Sequence, residues 1–205
     1  NVSADSLDLE ATNGSITQGP DSSLAVVTGP TDLVAGTDIT LPGENSLSGS
    51  VAATGRNINI SAISDLTIDA TASADLTLTV AGNLSANIAV GGTSTLSTTG
   101  GGLLSVDGST QNLIVRGSGE TRLGQVDVEG DLDVESEGPL DDEQGLTGNA
   151  HVDKAIAVDP ITVVTETVVQ SQSVSTVAVS DGPSGSLSFT SMDSVDQGSN
   201  SFGFD

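Results

Sequence analysis

Carboxylates at alternate positions are the groups in this chain whose spacing could do chemistry. Asp127, Glu129, Asp131, Asp133, Glu135 and Glu137 are separated mainly by Val and Leu. On one strand all six would project from one face. Like charges so placed repel and favour a counterion, and Ca2+ takes oxygen ligands from such carboxylates. Asp127, Glu129, Asp131 and Asp133 are therefore the candidate calcium ligands. The Gly-Gly-x-Gly-x-Asp calcium repeat is absent, so a solvated outer face is the competing reading.

Two other constellations could support catalysis. Asp65, Asp69 and Asp75 with Arg56 resemble the acidic patch and cation of a polysaccharide-cleaving β-helix, but the chain has no Tyr or Trp to form a sugar platform. His151, the only histidine, has Asp153 nearby. A lone His among Ser-rich segments makes chance pairing easy, and a solvated loop residue is the plainer reading. No catalytic residue and no organic cofactor is assigned, and the expectation is a non-enzyme.

The composition restricts the elements that could position such groups. The 205 residues include three Phe, no Trp, no Tyr and no Cys. Val, Leu, Ile and Ala must build the interior, which suits narrow stacked layers better than a wide sandwich. With 28 acidic and four basic residues the net charge is −24. Nucleic-acid binding needs Lys and Arg to displace counterions and is excluded. Anionic membrane surfaces are disfavoured, and a cation-rich surrounding is favoured. No apolar run approaches 18 residues, so membrane insertion is not expected. Asn1 is not an initiator Met and no capping segment precedes the repeats, so the chain reads as a processed product or an excerpt.

The repeats identify the elements. A turn residue and a polar residue precede alternating aliphatics in Thr37-Asp38-Ile39-Thr40-Leu41, Arg56-Asn57-Ile58-Asn59-Ile60, Ser64-Asp65-Leu66-Thr67-Ile68, Ala74-Asp75-Leu76-Thr77-Leu78 and Gly130-Asp131-Leu132-Asp133-Val134. Period two means strands with one face inward. Ile16 to Ile39 spans 23 residues, Ile39 to Ile58 19, and both Ile58 to Leu76 and Leu66 to Leu84 span 18. Leu104 to Leu123 and Leu113 to Leu132 each span 19. Two interleaved series with one period imply at least two strands per coil, paired in parallel with the next coil. The fold class is all-β: a parallel β-solenoid over residues 1–138, an acidic linker over 139–160, and a distinct C-terminal β segment over 161–205. Helix is expected almost nowhere.

The last segment departs from the coil pattern. Ile161 to Ser180 alternates Val with Ser and Thr without Gly punctuation, and all three Phe follow it. Solenoids expose unpaired strand edges at their ends. Val163, Val168, Val174, Val177, Val179, Phe189, Phe202 and Phe204 are therefore the candidate interface, which either caps its own solenoid or joins a neighbouring subunit.

Gly14-Ser15-Ile16-Thr17-Gln18, Thr31 to Leu41, Asn45, Gly49-Ser50-Val51 and Gly55-Arg56-Asn57-Ile58 resemble the ordered repeats of filamentous-haemagglutinin-like proteins. The resemblance covers roughly Ser3 to Val134. It implies a right-handed β-helix, two-partner secretion, location on the cell surface or outside the cell, and a role in adhesion or biofilm matrix, with this chain a C-terminal portion. Some members carry a C-terminal Cys pair, which this chain lacks. Residues 161–205 resemble nothing recognised. The expected partners are further copies in a head-to-tail homopolymer, other matrix or surface components, or glycans. A monomeric adhesin stalk and a glycan-active β-helix are the rival readings.

Overall fold

The computed structural model describes residues 1–19 and 21–142, and beyond them the backbone of strands Asn149–Asp153, Ala157–Val158, Ala178–Ser180 and Ser186–Ser188. Side chains are described through Leu140. The chain is all-β, a parallel β-solenoid of about seven turns. No helix occurs among the described residues.

One side of the coil stacks β2 (Leu7–Ala11), β5 (Thr31–Ala35), β7 (Ser50–Gly55) and β9 (Leu66–Ala72) in parallel. It continues through the first halves of β11 (Leu84–Thr98) and β12 (Leu104–Gly117), then β13 (Thr121–Val128) and β15 (Pro139–Asp142). A second side stacks β3 (Ile16–Thr17), the start of β6 (Ile39–Leu47), β8 (Ile58–Ala62) and β10 (Leu76–Val80). The second halves of β11 and β12 and then β14 (Asp131–Ser136) extend it. Parallel pairing persists past position 138, where β16 (Asn149–Asp153) joins β14 and β17 (Ala157–Val158) joins β15. Strands β18 (Ala178–Ser180) and β19 (Ser186–Ser188) form a separate antiparallel pair.

Equivalent residues form columns. Ile39, Ile58 and Leu76 stack on one another, as do Leu41, Ile60, Leu78, Leu96, Val115 and Val134, all buried. Most of these aliphatics thus have aliphatic neighbours in the adjacent coils, about 4.8 Å away, although Ser94 follows Leu76 in its column. On the other side Leu33, Ala53, Ala70 and Ile88 form another buried column, which mixes large and small residues. The buried apolar side chains of both sides are all Leu, Ile, Val or Ala, as the composition requires.

Two details depart from the repeat spacing. Leu104 pairs with Thr121, not Leu123, which lies opposite Val106. Thr121 occupies an aliphatic column with its hydroxyl buried and unpartnered, so a hydropathy pattern passes over it. The first coils are also three-sided. Strands β1 (Val2–Ala4), β4 (Leu24–Val26) and the end of β6 make a third stack. The offset between stacked residues is 22 from Val2 to Leu24, 24 from Leu7 to Thr31 and 23 from Ile16 to Ile39. Farther on the third side disappears and the offset shrinks, to 17 from Val51 to Ile68 and 18 from Leu66 to Leu84.

A buried amide pair marks the change of outline. Gln18 stands in the column below Leu41, where an aliphatic would be expected. Its Nε2 donates to Asn45 Oδ1 at 2.7 Å, and Asn45 Nδ2 donates to Gln18 Oε1 at 3.1 Å. Asn45, fully buried, also accepts from Leu24 N at 2.9 Å and donates to the Leu41 and Ser61 carbonyls at 3.2 and 3.0 Å. One side chain thus joins the backbones of three successive coils where the third side ends. Removing it strands several buried polar groups, each costing about 1–3 kcal/mol. Asn45→Leu is expected to destabilise the chain by about 3 kcal/mol or more, whereas Gln18→Leu, which restores the aliphatic column, costs less; denaturant unfolding of both variants measures the difference.

Candidate functional site

Of the residues read as a candidate active site, Asp65 and Asp75 sit at coil corners, one residue before the first buried aliphatic of β9 and β10. There the strand on one side has ended and the next begins, so backbone groups need partners outside the ladder. Side chains of the preceding coil supply them. Asp65 Oδ1 accepts from Asn83 N at 2.8 Å, and Asn83 Oδ1 accepts from Leu103 N at 2.9 Å. At the other corner Asn57 Oδ1 accepts from Asp75 N at 3.3 Å, Asp75 Oδ1 from Thr93 N at 2.9 Å, and Asn112 Oδ1 from Asp131 N at 3.0 Å. Asp65 and Asp75 thus belong to two different ladders. Asp69 lies on the outer face of β9, where it accepts from Asn87 Nδ2 at 2.9 Å.

The ladders explain the glycines that precede their members. A Cβ on Gly82 would collide with Asp65 Oδ1, and one on Gly130 with Asn112 Oδ1. The side chain below folds into the space that glycine leaves empty. Asp107 uses the same device at a bulge. Between Val106 and Gly108 the register slips, and Asp107 accepts from Gln125 N at 2.9 Å while occupying the space beside Gly124. Gly108, at φ +113° directly over the Ile88 carbonyl, tolerates no side chain.

Arg56 pairs with Asp38, not with Asp65, Asp69 or Asp75: its Nε lies 3.2 Å from Asp38 Oδ1 and its second terminal nitrogen 3.3 Å from Oδ2. Asn57 Nδ2 donates to the same carboxylate at 2.8 Å. The hydrogen bonds from Arg56 and then Asn57 hold the Asp38 carboxyl below its usual value.

The acidic run is not a single strand face. β13 ends at Val128 and β14 begins at Asp131, so Asp127 belongs to the first side of the coil, Glu129 to the bend that follows, and Asp131 and Asp133 to the second side. The turn at Gly130 divides them, which corrects the one-face expectation. Arg116, from the coil before, reaches Asp133 at 2.6 Å and Glu135 at 3.6 Å. Among the described residues no three His, Asp or Glu side chains converge as a metal-binding group. Backbone register places His151 over Asp133. Val163, Val168, Val174, Val177, Phe189, Phe202 and Phe204 lie outside the described residues, and of Val179 only the backbone, paired with Leu187, is described.

The outward columns follow an electrostatic rule. Asp38, Asn57, Asp75, Thr93, Asn112 and Asp131 succeed one another at one corner. On the first side the succession is Asp32, Ala52, Asp69, Asn87 and Asp107. Among the members named, neither column stacks two carboxylates. At a spacing of about 4.8 Å such a pair would repel by about 1 kcal/mol even in bulk water. Asp8 over Asp32 is an exception. On the second side Asn59 and Ser61, Thr77 and Thr79, and Thr95 and Ser97 form two adjacent uncharged columns. Sequence reasoning missed the Asn members of the ladders, although their signal was present as the polar residue recurring before each aliphatic run.

A family described as repeats of unknown function (DUF5649) matches residues 1–54, a stretch containing the three-sided coils. No curated protein and no solved structure matches the chain.

Two outcomes follow from the corner geometry. All three atoms nearest to a Cβ on Gly124 belong to the Asp107 side chain. Gly124→Ala and Asp107→Ala should each cost about 1 kcal/mol, and the double variant should be no less stable than Asp107→Ala alone, as a denaturant-based double-mutant cycle would show. For Asp38 the folded pKa is depressed, so its contribution is present above the unfolded value and lost as pH falls through the lower folded one. In an NMR titration the Asp38 carboxyl should titrate below the ordinary aspartate value, and Arg56→Met should raise its midpoint toward that value.

Proposed function

We propose that the chain is a structural element of an extracellular surface protein, a stiff solenoid that spaces or displays adhesive parts and itself performs no catalysis. The observation that carries this reading is the parallel stacking from β2 to β15, interrupted only by local register shifts, around an interior built mainly of aliphatic side chains. Each coil is held to the next by a ladder on every side, which resists bending. Asp65 and Asp75 serve backbone corners, and Arg56 serves Asp38. Those roles support the reading of these groups as scaffold.

The high negative charge keeps such rods apart and soluble. The resemblance to filamentous-haemagglutinin-like repeats supports an exported adhesin or matrix fibre, and end-to-end addition of chains through open strand edges is the assembly mode this reading favours. Electron microscopy of the purified protein provides the test. Narrow rods, or fibres with a uniform axial repeat, are expected, with fibres indicating polymerisation and short monodisperse rods a stalk. Compact particles, or turnover of acidic polysaccharides abolished by Asp65→Asn or Asp75→Asn, would sink the proposal.

A further inference from the structure

The N-terminal coil has an unfinished interior. Leu7, Leu9, Ile16 and Leu24 are only partly buried, although they pack on the core. Residues one coil farther on in three of these columns, Thr31, Leu33 and Ile39, are at most 1% exposed. A recess of about 200 Å3 opens at this end, lined in part by Val2, Leu9, Ile16, Gln18, Leu24 and Leu41.

The backbone is unfinished in the same place. Val2 N donates to the Ser23 carbonyl, and the Ala4 carbonyl accepts from Val27 N. Leu7 N donates to Pro30 O, and Ile16 and Gln18 donate to Asp38 and Thr40. Because successive groups on a strand point to opposite edges, the N–H and C=O of Ser3, Asp8, Glu10 and Thr17 face the open side. These groups lie on three strands that all pair in parallel with the coil above.

The outline selects what can cover this end. A coil that follows the rest of the stack must run parallel and present three sides, because β1 belongs to the third side. The coils from Ser50 onward have two sides and offsets such as 17 and 18 residues. Such a coil would cover β2 and β3 and leave β1 bare. The coils that match in outline fall within the stretch that resembles a repeat family.

We infer that the N-terminal end is an acceptor for one further three-sided coil of that repeat class, stacked in parallel, and that it discriminates against the narrow coils that make up the rest of the rod. The inference adds a partner chemistry to the structural reading without depending on adhesion or secretion. A rod that fails to bind surfaces could still show it, and an adhesive rod could lack it.

The test uses the full chain with two N-terminal extensions, each replacing Asn1 and running directly into Val2. One is a copy of the wide coil 24–44. The other is a copy of the narrow coil 63–80, whose positions align with the same columns. The wide extension should raise the thermal midpoint by about 5 °C and slow amide exchange at Ser3, Asp8, Glu10 and Thr17. The narrow one should protect Asp8, Glu10 and Thr17, leave Ser3 exchanging freely and raise the midpoint less. Equal protection of Ser3 by both, or no protection by the wide coil, would overturn the inference. So would a concentration-dependent dimer of the unextended chain, seen by sedimentation and lost in Leu9→Lys, because the occupant would then be a second copy.

Discussion

Parallel stacking in register is the constraint on which everything else in this molecule depends. Once Ile39, Ile58 and Leu76 lie in one column, each residue's environment is set by its equivalents one coil before and one coil after. No coil can bury its aliphatic row alone, so stability is a sum of interfaces between neighbours. A residue's role is therefore a property of its column as much as of its own side chain.

The same geometry governs the charge. A chain with a net charge of −24 cannot stack carboxylates freely at the strand spacing. The alternation of Asp with Asn, Thr or Ala along the outward columns spreads the repulsion. Asn suits the intervening places because it offers the same acceptor oxygen to the backbone N–H of the next coil and carries no charge. Where acidic residues crowd, at Asp133 and Glu135, Arg116 from the preceding coil lies between them. These pairs are more than a third solvent-exposed, and each contributes little to stability, of the order of 0–1 kcal/mol. Their effect is mainly to make the local packing of charge tolerable.

The narrowing of the rod is a second consequence of column logic. A third side can end only where something satisfies the backbone groups it leaves behind. Asn45 does so by bonding Leu24, Leu41 and Ser61 at once, with Gln18 beneath it. Two buried amides are costly unless every group finds a partner. Here each side-chain oxygen and nitrogen does, which makes this corner specific to one outline. The first coils therefore present a different end-face from that of the narrow coils that follow.

Much of the architecture was legible in the order of residues. Period-two alternation fixes which side chains face inward, and the recurrence of Asp or Asn before Ile or Leu locates the starts of β6, β8, β9, β10 and β11, since both signals are local. The offsets were legible where an aliphatic marks the column, as from Ile16 to Ile39, and misleading where a polar residue does, as at Thr121. Only the tertiary structure decided what the acidic residues do. In sequence Asp65, Asp69 and Asp75 could form one acidic patch, but folding assigns Asp65 and Asp75 to backbone groups in two different ladders and Asp69 to the outer face of β9. The run from Asp127 to Glu137 looks like one face, but the corner at Gly130 splits it between two. Alternation determines whether a residue points in or out. Which other residues it meets depends on how the coil closes, through contacts some 17 to 24 positions away.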